Sequence, residues 1–242
     1  MLDLLHDVAD AVKRALDDVE DWRPRTDRVG QYAIDVVADA AALRVLDEAG
    51  VGVLSEESGL RRPAHPLLVV VDPVDGSTNA SRRIPWYATS LCVLDGDGPA
   101  AALVVNQATG ERFAAVRGEG ATLDGQPITP STVERAQQAI VGLSGWPPVP
   151  LGWKQFRALG AAALDLCLVA AGRLDAYVDC SANAHGPWDY LGALLVLEEA
   201  GAQVVDVHGR DLVARAHGER RTPVAAATPG LLDELVTARR RF

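Results

Sequence analysis

An apolar run, Leu67 to Val71, leads straight into Asp72-Pro73-Val74-Asp75-Gly76-Ser77-Thr78-Asn79, and this junction restricts what the chain can fold into more than any other stretch of it. The run is short, unbroken and mostly β-branched, the pattern of a strand buried on both faces. Such a strand ends in two carboxylates for a reason, since an unpaired charge there costs several kcal/mol. A bound cation removes that cost. The intervening proline fixes the backbone and aims the Val74 carbonyl toward the same cation. Gly76, Ser77 and Thr78 then suit the opening of a helix, whose free N–H groups receive an anion. One segment thus offers hard oxygen ligands for a metal beside a cradle for a phosphate.

Other acids follow or open regular elements: Asp35, with Asp39 a turn later, the pair Glu56-Glu57, and Asp189 after Trp188. Taken singly, each has a plain structural reading. Glu56-Glu57 reads as a solvated turn, Asp189 as the N-cap of the helix after it, Asp35 as a first-turn charge favouring its helix dipole, and Trp188 as core packing. Asp72 and Asp75 resist such a reading, and Asp72 sits well to bridge two ions about 3.5–4 Å apart. With all-oxygen donors, the cation these acids suit is Mg2+.

At 242 residues the chain is one large α/β domain or two small subdomains. A composition 48% hydrophobic and 23% charged provides a sizeable core and gives no sign of disorder. A net charge of −10 argues against nucleic acid or an anionic membrane as main partner. Cys92, Cys167 and Cys180 lie in apolar runs without CxxC spacing and read as buried free thiols of a reducing compartment. The first residues carry no basic region before an apolar core, and no run approaches the ~20 apolar residues of a membrane span. A cytoplasmic protein is expected.

Apolar spacing predicts helices over residues 2–20, 34–48, 162–171, 189–200 and 231–240, with another opening near Gly76. Strands are expected at 51–54, 67–71, 90–94, 100–105, 111–116, 176–179, 203–207 and 224–227. Asp95-Gly96-Asp97-Gly98 and Asp124-Gly125 mark hairpin turns. The Pro-, Gly- and Trp-rich stretch 142–152 reads as a boundary between subdomains 1–142 and 152–242. Helices and strands alternate at both ends around an antiparallel centre, which makes a layered α/β sandwich.

Asp-Pro-Val-Asp-Gly-Ser-Thr-Asn resembles the D-P-[IL]-D-G-[TS]-[TS]-N signature of the inositol monophosphatase family, which belongs with fructose-1,6-bisphosphatase to the Mg2+-dependent, lithium-sensitive phosphatases. Glu56-Glu57-Ser58 is similar to the family's G-E-E-[ST]. Trp188-Asp189 with Gly192-Ala193 and Glu199-Ala200-Gly201 is similar to its W-D-x-A-x-G…E-A-G signature, and Gly160 to Asp165 to its G-[ST]-A-A-[LV]-D segment. The matches run in family order over nearly the whole chain, which makes them far more specific than a lone motif.

The resemblance implies an αβαβα sandwich, a homodimer, and a phosphomonoesterase acting on a small phosphorylated polyol or sugar, inositol 1-phosphate foremost. It implies two or three Mg2+ ions: the first on Glu56, Asp72 and the Val74 carbonyl, the second on Asp72, Asp75 and Asp189, and a weaker third on Glu56. Gly76, Ser77 and Thr78 would bind the phosphate, and Asp35 with Ser77 would orient and deprotonate the attacking water. Gly160, Ala161, Asp179 and Asp189 would face the substrate. Histidinol phosphate, fructose 1,6-bisphosphate and adenosine 3′,5′-bisphosphate are alternatives on this scaffold, as is a catalytically weak phosphate-ligand-binding protein.

The chain departs from the pattern at Ser55, where the family has glycine, at Gln31-Tyr32 for Val-Thr, at Ser77 for Thr, at Ala161 for Ser or Thr, and in a longer segment 180–187 carrying His185. A rival phosphatase chemistry with Asp95 as nucleophile meets Pro99 where a Thr is needed, and a hairpin is the better reading of that segment.

Overall fold

The computed structural model describes residues 1–242. Helix α1 (Leu2–Asp17) buries Leu5, Val8, Ala9, Val12 and Leu16, the stripe expected at helical spacing. Helix α2 (Ala33–Ala49) ends at Gly50, whose φ of 72° is the left-handed C-cap a side chain resists. Both helices lie on one face of an eight-stranded sheet.

That sheet holds, in chain order, β1 (Gly52–Ser55), β2 (Gly59–Arg61), β3 (Leu68–Asp75), β4 (Ala88–Asp95), β5 (Gly98–Asn106), β6 (Arg112–Val116), β7 (Gly120–Leu123) and β8 (Gln126–Pro127). The spatial order is β2-β1-β3-β4-β5-β6-β7-β8. Only β1 and β3 run parallel; the other neighbours are antiparallel. The hairpins expected at Gly96-Asp97 and Asp124-Gly125 are present, with Asp95 opposite Gly98 and Leu123 opposite Gln126. Asp95 is tied to Arg117 at 2.9 Å, so it serves the hairpin.

Why the central strands read as continuous apolar runs is now plain. Val69, Val71, Leu91, Val93, Leu103 and Val105 pack toward α1 and α2. Their alternates Leu68, Val70, Cys92, Leu94, Ala102 and Val104 pack on the other face against α4 (Ala162–Ala170) and α5 (Pro187–Ala200), which follow the short helix α3 (Ser77–Ser81) in the chain. Period-2 alternation carries no polar face when both faces are covered.

A five-stranded sheet lies beyond α4 and α5. Its strands β9 (Ile140–Ser144), β10 (Gln155–Arg157), β11 (Ala176–Asp179), β12 (Gln203–Asp206) and β13 (Pro223–Ala226) are ordered β10-β9-β11-β13-β12. Helix α6 (Pro229–Arg239) covers its outer face with Leu231, Leu232, Leu235 and Val236. The layers are therefore αβαβα. The chain passes between sheets in residues 128–139, while the 142–152 stretch expected as a boundary begins inside β9 and ends in the loop before β10. All three cysteines are buried and free. No helix is long and apolar enough to cross a membrane.

Helix α5 crosses the centre of the large sheet at Gly192. A Cβ there would meet Ser90 Oγ at 2.8 Å, Val104 Cγ2 at 3.1 Å and the Leu91 carbonyl at 3.2 Å. Alanine gains about 1 kcal/mol in helix propensity over glycine, but forcing it into a packed contact costs about 1–3 kcal/mol. The Gly192→Ala protein should therefore unfold at lower urea concentration than the parent; an equal or higher midpoint would show that the sheet yields freely at this crossing.

Candidate active site

The parallel pair β1–β3 places two acids side by side. Pairing continues one residue past β1, where the Glu56 N–H donates to the Val71 carbonyl at 3.2 Å. Glu56 and Asp72 therefore emerge together from the carboxyl ends of parallel strands, where α/β folds gather their ligands. Strand β3 continues through Pro73 to Asp75, with a register shift against β4 between Asp72 and Asp75. Proline is admissible at such a bulge because no ladder donor is needed there. The Val74 N–H donates to Asp72 Oδ1 at 2.9 Å, and Thr89 Oγ1 donates to the Pro73 carbonyl at 2.9 Å, so the turn is fixed from both sides.

Helix α5 brings the third acid. Asp189 is not the N-cap expected from sequence but the third helical residue: Gly186 is the N-cap, Pro187 opens the helix, and the Gly186 N–H donates to Asp189 Oδ2 at 2.7 Å. One carboxylate oxygen each from Glu56, Asp72 and Asp189 lies within 4.8 Å of the others. Asp75 stands beside them. Its Oδ2 accepts the Ala163 N–H at 2.7 Å, so this acid caps α4, whose own N-cap residue Ala161 has no side chain able to do so.

Electrostatics shows what the cluster lacks. Burial first, then the charge of Asp189, pushes Glu56 up to about 9 and Asp75 up to about 7. Burial and then Glu56 raise Asp72 well above the carboxylate range. These acids cannot all ionise together without a cation. The donor set is carboxylate oxygen throughout, which fits a hard divalent ion and not a thiophilic one.

Asp35 is the third residue of α2, where its Oδ2 accepts the Tyr32 N–H at 2.7 Å. Its Oδ1 is buried without a partner, and burial pushes the group up to about 7. Asp35, Glu56, Val74 and Ser77 line one cavity of about 110 Å³ with Arg28, Gln31 and Glu57. Asp39, a turn further on, does not join them: it accepts the buried Ser55 hydroxyl. Glu57 stays at the cavity wall, where it pairs with Arg28 at 3.0 Å and accepts from Gln31.

Gly76 has φ of 84°, and a Cβ there would lie 3.0 Å from the Gly160 carbonyl and 3.1 Å from Ala161. Asn79 explains this closeness. Its Nδ2 donates to the Trp86 carbonyl at 2.9 Å and the Leu159 carbonyl at 2.7 Å, clamping segment 159–161 against the turn. Thr78 is exposed, and its hydroxyl lies beside that of Tyr32, away from this cradle.

Gly160 and Ala161 line a second cavity of about 280 Å³ with Asp75, Ser144, Tyr177, His185 and Asp189 among others. Asp179, expected at the substrate, is fully buried and does not line it; His185 stands between, its Nε2 3.7 Å from Asp179 and its Nδ1 3.4 Å from Asp189. Burial opposes charge on His185, but Asp189 outweighs it and pushes the imidazole up to about 9. Tyr177 Oη adds a hydrogen bond to His185 Nε2 at 3.1 Å. His217, which no sequence pattern singled out, stacks on Trp188 at 4.8 Å and reaches the Glu56 carbonyl with Nε2 at 3.0 Å.

A family model described as the inositol monophosphatase family matches residues 31–242. The chain belongs to that family. It is 33% identical over 208 residues to the fructose-1,6-bisphosphatase/inositol-1-monophosphatase of Thermococcus kodakarensis, covering 85% of this chain and 81% of that one. It is 34% identical over 214 residues to the inositol-1-monophosphatase SuhB of Mycobacterium tuberculosis, covering 78% and 70%. Among solved structures, the extragenic suppressor protein suhB of Bartonella henselae superimposes with a TM-score of 0.85 at 25% identity, over 99% of this chain and 98% of that one. A Pyrococcus horikoshii protein described as similar to inositol-1 monophosphatase gives 0.84 at 26%, over 98% and 95%. The family's members are metal-dependent phosphoric monoester hydrolases, and this chain is one of them.

The raised carboxylates have a consequence for stability. A carboxyl whose folded pKa lies above its unfolded value stabilises the fold fully only below the unfolded value, near 4, and that contribution is lost as pH rises through the folded one. Glu56 and Asp75 place the loss between about pH 4 and 9. In chelator, the melting temperature should fall across that window, and added Mg2+ should raise it more at pH 8 than at pH 5. A Mg2+ effect independent of pH would argue against ion binding by these acids.

Proposed function

We propose that this phosphatase is Mg2+-dependent and hydrolyses a small polyol or sugar phosphate, inositol 1-phosphate first among them. The observation that carries the reading is the convergence of Glu56, Asp72 and Asp189 within 4.8 Å, next to a cavity of about 280 Å³. Glu56, Asp72 and the Val74 carbonyl would hold one ion, Asp72, Asp75 and Asp189 a second, and Glu56 a weaker third. Bound there, Mg2+ would polarise the phosphoryl oxygens and stabilise the leaving alkoxide.

The chain's own groups supply the rest. The Gly76 and Ser77 N–H groups receive the phosphate. Ser77 Oγ orients a water, and the unpartnered, buried Oδ1 of Asp35, poised near neutrality, takes its proton. Ser144, Tyr177 and His185 offer hydrogen bonds to the hydroxyls of the ester. A relative named fructose-1,6-bisphosphatase in Pyrococcus furiosus, 34% identical over 197 residues, supports fructose 1,6-bisphosphate as a second substrate. The proposal includes a cytoplasmic homodimer acting as one catalytic unit over residues 1–242, with no nucleic-acid or membrane partner, in keeping with the net charge of −10.

A panel of phosphate esters assayed with Mg2+ tests the substrate, with inositol 1-phosphate expected to give the highest kcat/KM and lithium to inhibit. Full activity in excess chelator would overturn the mechanism. Glu56→Gln should lower kcat/KM by more than about 100-fold, since even residues that merely support a metal's ligands cost up to that much. The same variant should melt higher than the parent in chelator at neutral pH, because Gln has no ionisation for the fold to suppress. Near-parental activity would remove Glu56 from the ion's ligands.

A further inference from the structure

A cationic pocket lies on the flank of α3. Arg23, Arg25, Tyr32, Ser81 and Arg82 line a cavity of about 480 Å³ that no carboxylate enters. In a chain of net charge −10, none of these arginines has an acid within salt-bridge distance, and neither has the adjacent Arg83. Like charges gather without counter-ions at a cost that an anionic ligand removes.

Part of the pocket is held in place before any ligand arrives. Arg25 is fixed by a backbone bridge to Tyr32, its guanidinium lies 4.9 Å from the Tyr32 ring centroid, and its Nη2 donates to Tyr32 Oη at 3.0 Å. At the rim, Arg83 stacks on Trp22 at 3.9 Å. Guanidiniums restrained in this way lose little entropy when they fork onto a phosphate. The Tyr32 hydroxyl accepts from Arg25 and lies beside the hydroxyls of Ser81 and Thr78, which adds polar groups to the pocket wall.

We propose that this pocket binds a phosphate group distinct from the one hydrolysed. It is joined to the reaction centre by two elements. Ser81 ends the short helix that Ser77 opens, roughly 6 Å away along the axis. Tyr32 caps α2 and donates its N–H to Asp35. The bound phosphate comes either from the far end of a bisphosphorylated substrate or from a separate phosphorylated effector, and the first source rests on the phosphatase reading above.

Titrating inorganic phosphate into metal-free protein, kept in chelator and followed by calorimetry, isolates this pocket, because the acid cluster repels phosphate when no cation is bound. The parent should bind, Arg23→Gln/Arg82→Gln should bind at least about tenfold more weakly, and a charge-matched control, Arg44→Gln/Arg157→Gln, should bind like the parent. No binding by the parent, equal binding by the Arg23/Arg82 variant, or an equal loss in the control would overturn the site. With Mg2+ present, the ratio of KM for fructose 1,6-bisphosphate to KM for inositol 1-phosphate then separates the sources. A rise of about tenfold in the Arg23/Arg82 variant assigns the pocket to the substrate's distal phosphate. An unchanged ratio, or no turnover of the bisphosphate, with phosphate binding lost in chelator, assigns it to an effector. Failure of all hydrolysis would sink the phosphatase reading and leave the chelator titration standing.

Discussion

Crowded negative charge is the constraint on which the rest of the structure depends. Glu56, Asp72 and Asp189 converge within 4.8 Å, with Asp75 alongside, and burial together with neighbouring carboxylate charge raises the pKa of Glu56, Asp72 and Asp75. A flexible scaffold would relieve this repulsion by moving apart. This one cannot, because three of the four acids are held by backbone: Asp72 by the Val74 N–H, Asp75 by the Ala163 N–H and Asp189 by the Gly186 N–H. Those donors in turn belong to a bulged central strand and to two helices buried between the sheets. A bound cation would relieve this repulsion, as the metal dependence of the family requires.

The departures from the family pattern have local physical accounts. Ser55, standing for glycine, is fully buried; its hydroxyl donates to Asp39 and accepts the Glu57 N–H at 3.1 Å, so it braces the turn that presents Glu56. Gln31 helps to hold Glu57 aside. Ala161 removes a hydroxyl from the start of α4, but Asp75 already caps that helix. The long segment before Trp188 folds His185 between Asp179 and Asp189, which puts an imidazole where a carboxylate was expected at the cavity wall. Trp86, through its Nε1 at 2.8 Å from Asp165 Oδ1, supports this wall from behind.

Charge is segregated around α3. Acids crowd the side of its first residue, while Arg23 and Arg25 gather with Arg82 near its last, separated by one short helix and by Tyr32, which touches both groups. A phosphate ester carries charge that both sides can use, directly on the arginine side and through a cation on the acid side.

Much of this was legible in the residues alone. Helix stripes, the two hairpin turns and the Asp72–Asn79 junction are local signals, because period, turn chemistry and a carboxylate at a strand end depend on neighbours in sequence. Strand β9 was not legible: Gly142 at its centre weakens the strand pattern, and the reason for that glycine is Leu174, whose Cδ1 would lie 3.0 Å from any Cβ there. Strand β10 is three exposed residues with no pattern to read. The position of Asp189 as third residue and not N-cap followed from the Gly186-Pro187 start. The sequence by itself therefore determined most of the elements and the identity of the clustered acids. Only the tertiary structure decided which acids meet, that Asp39 and Asp179 stand apart, that His217 supports Glu56, and that Arg23, Arg25 and Arg82 share one pocket. Distances between groups far apart in the chain are set by how layers pack, and no local pattern encodes them.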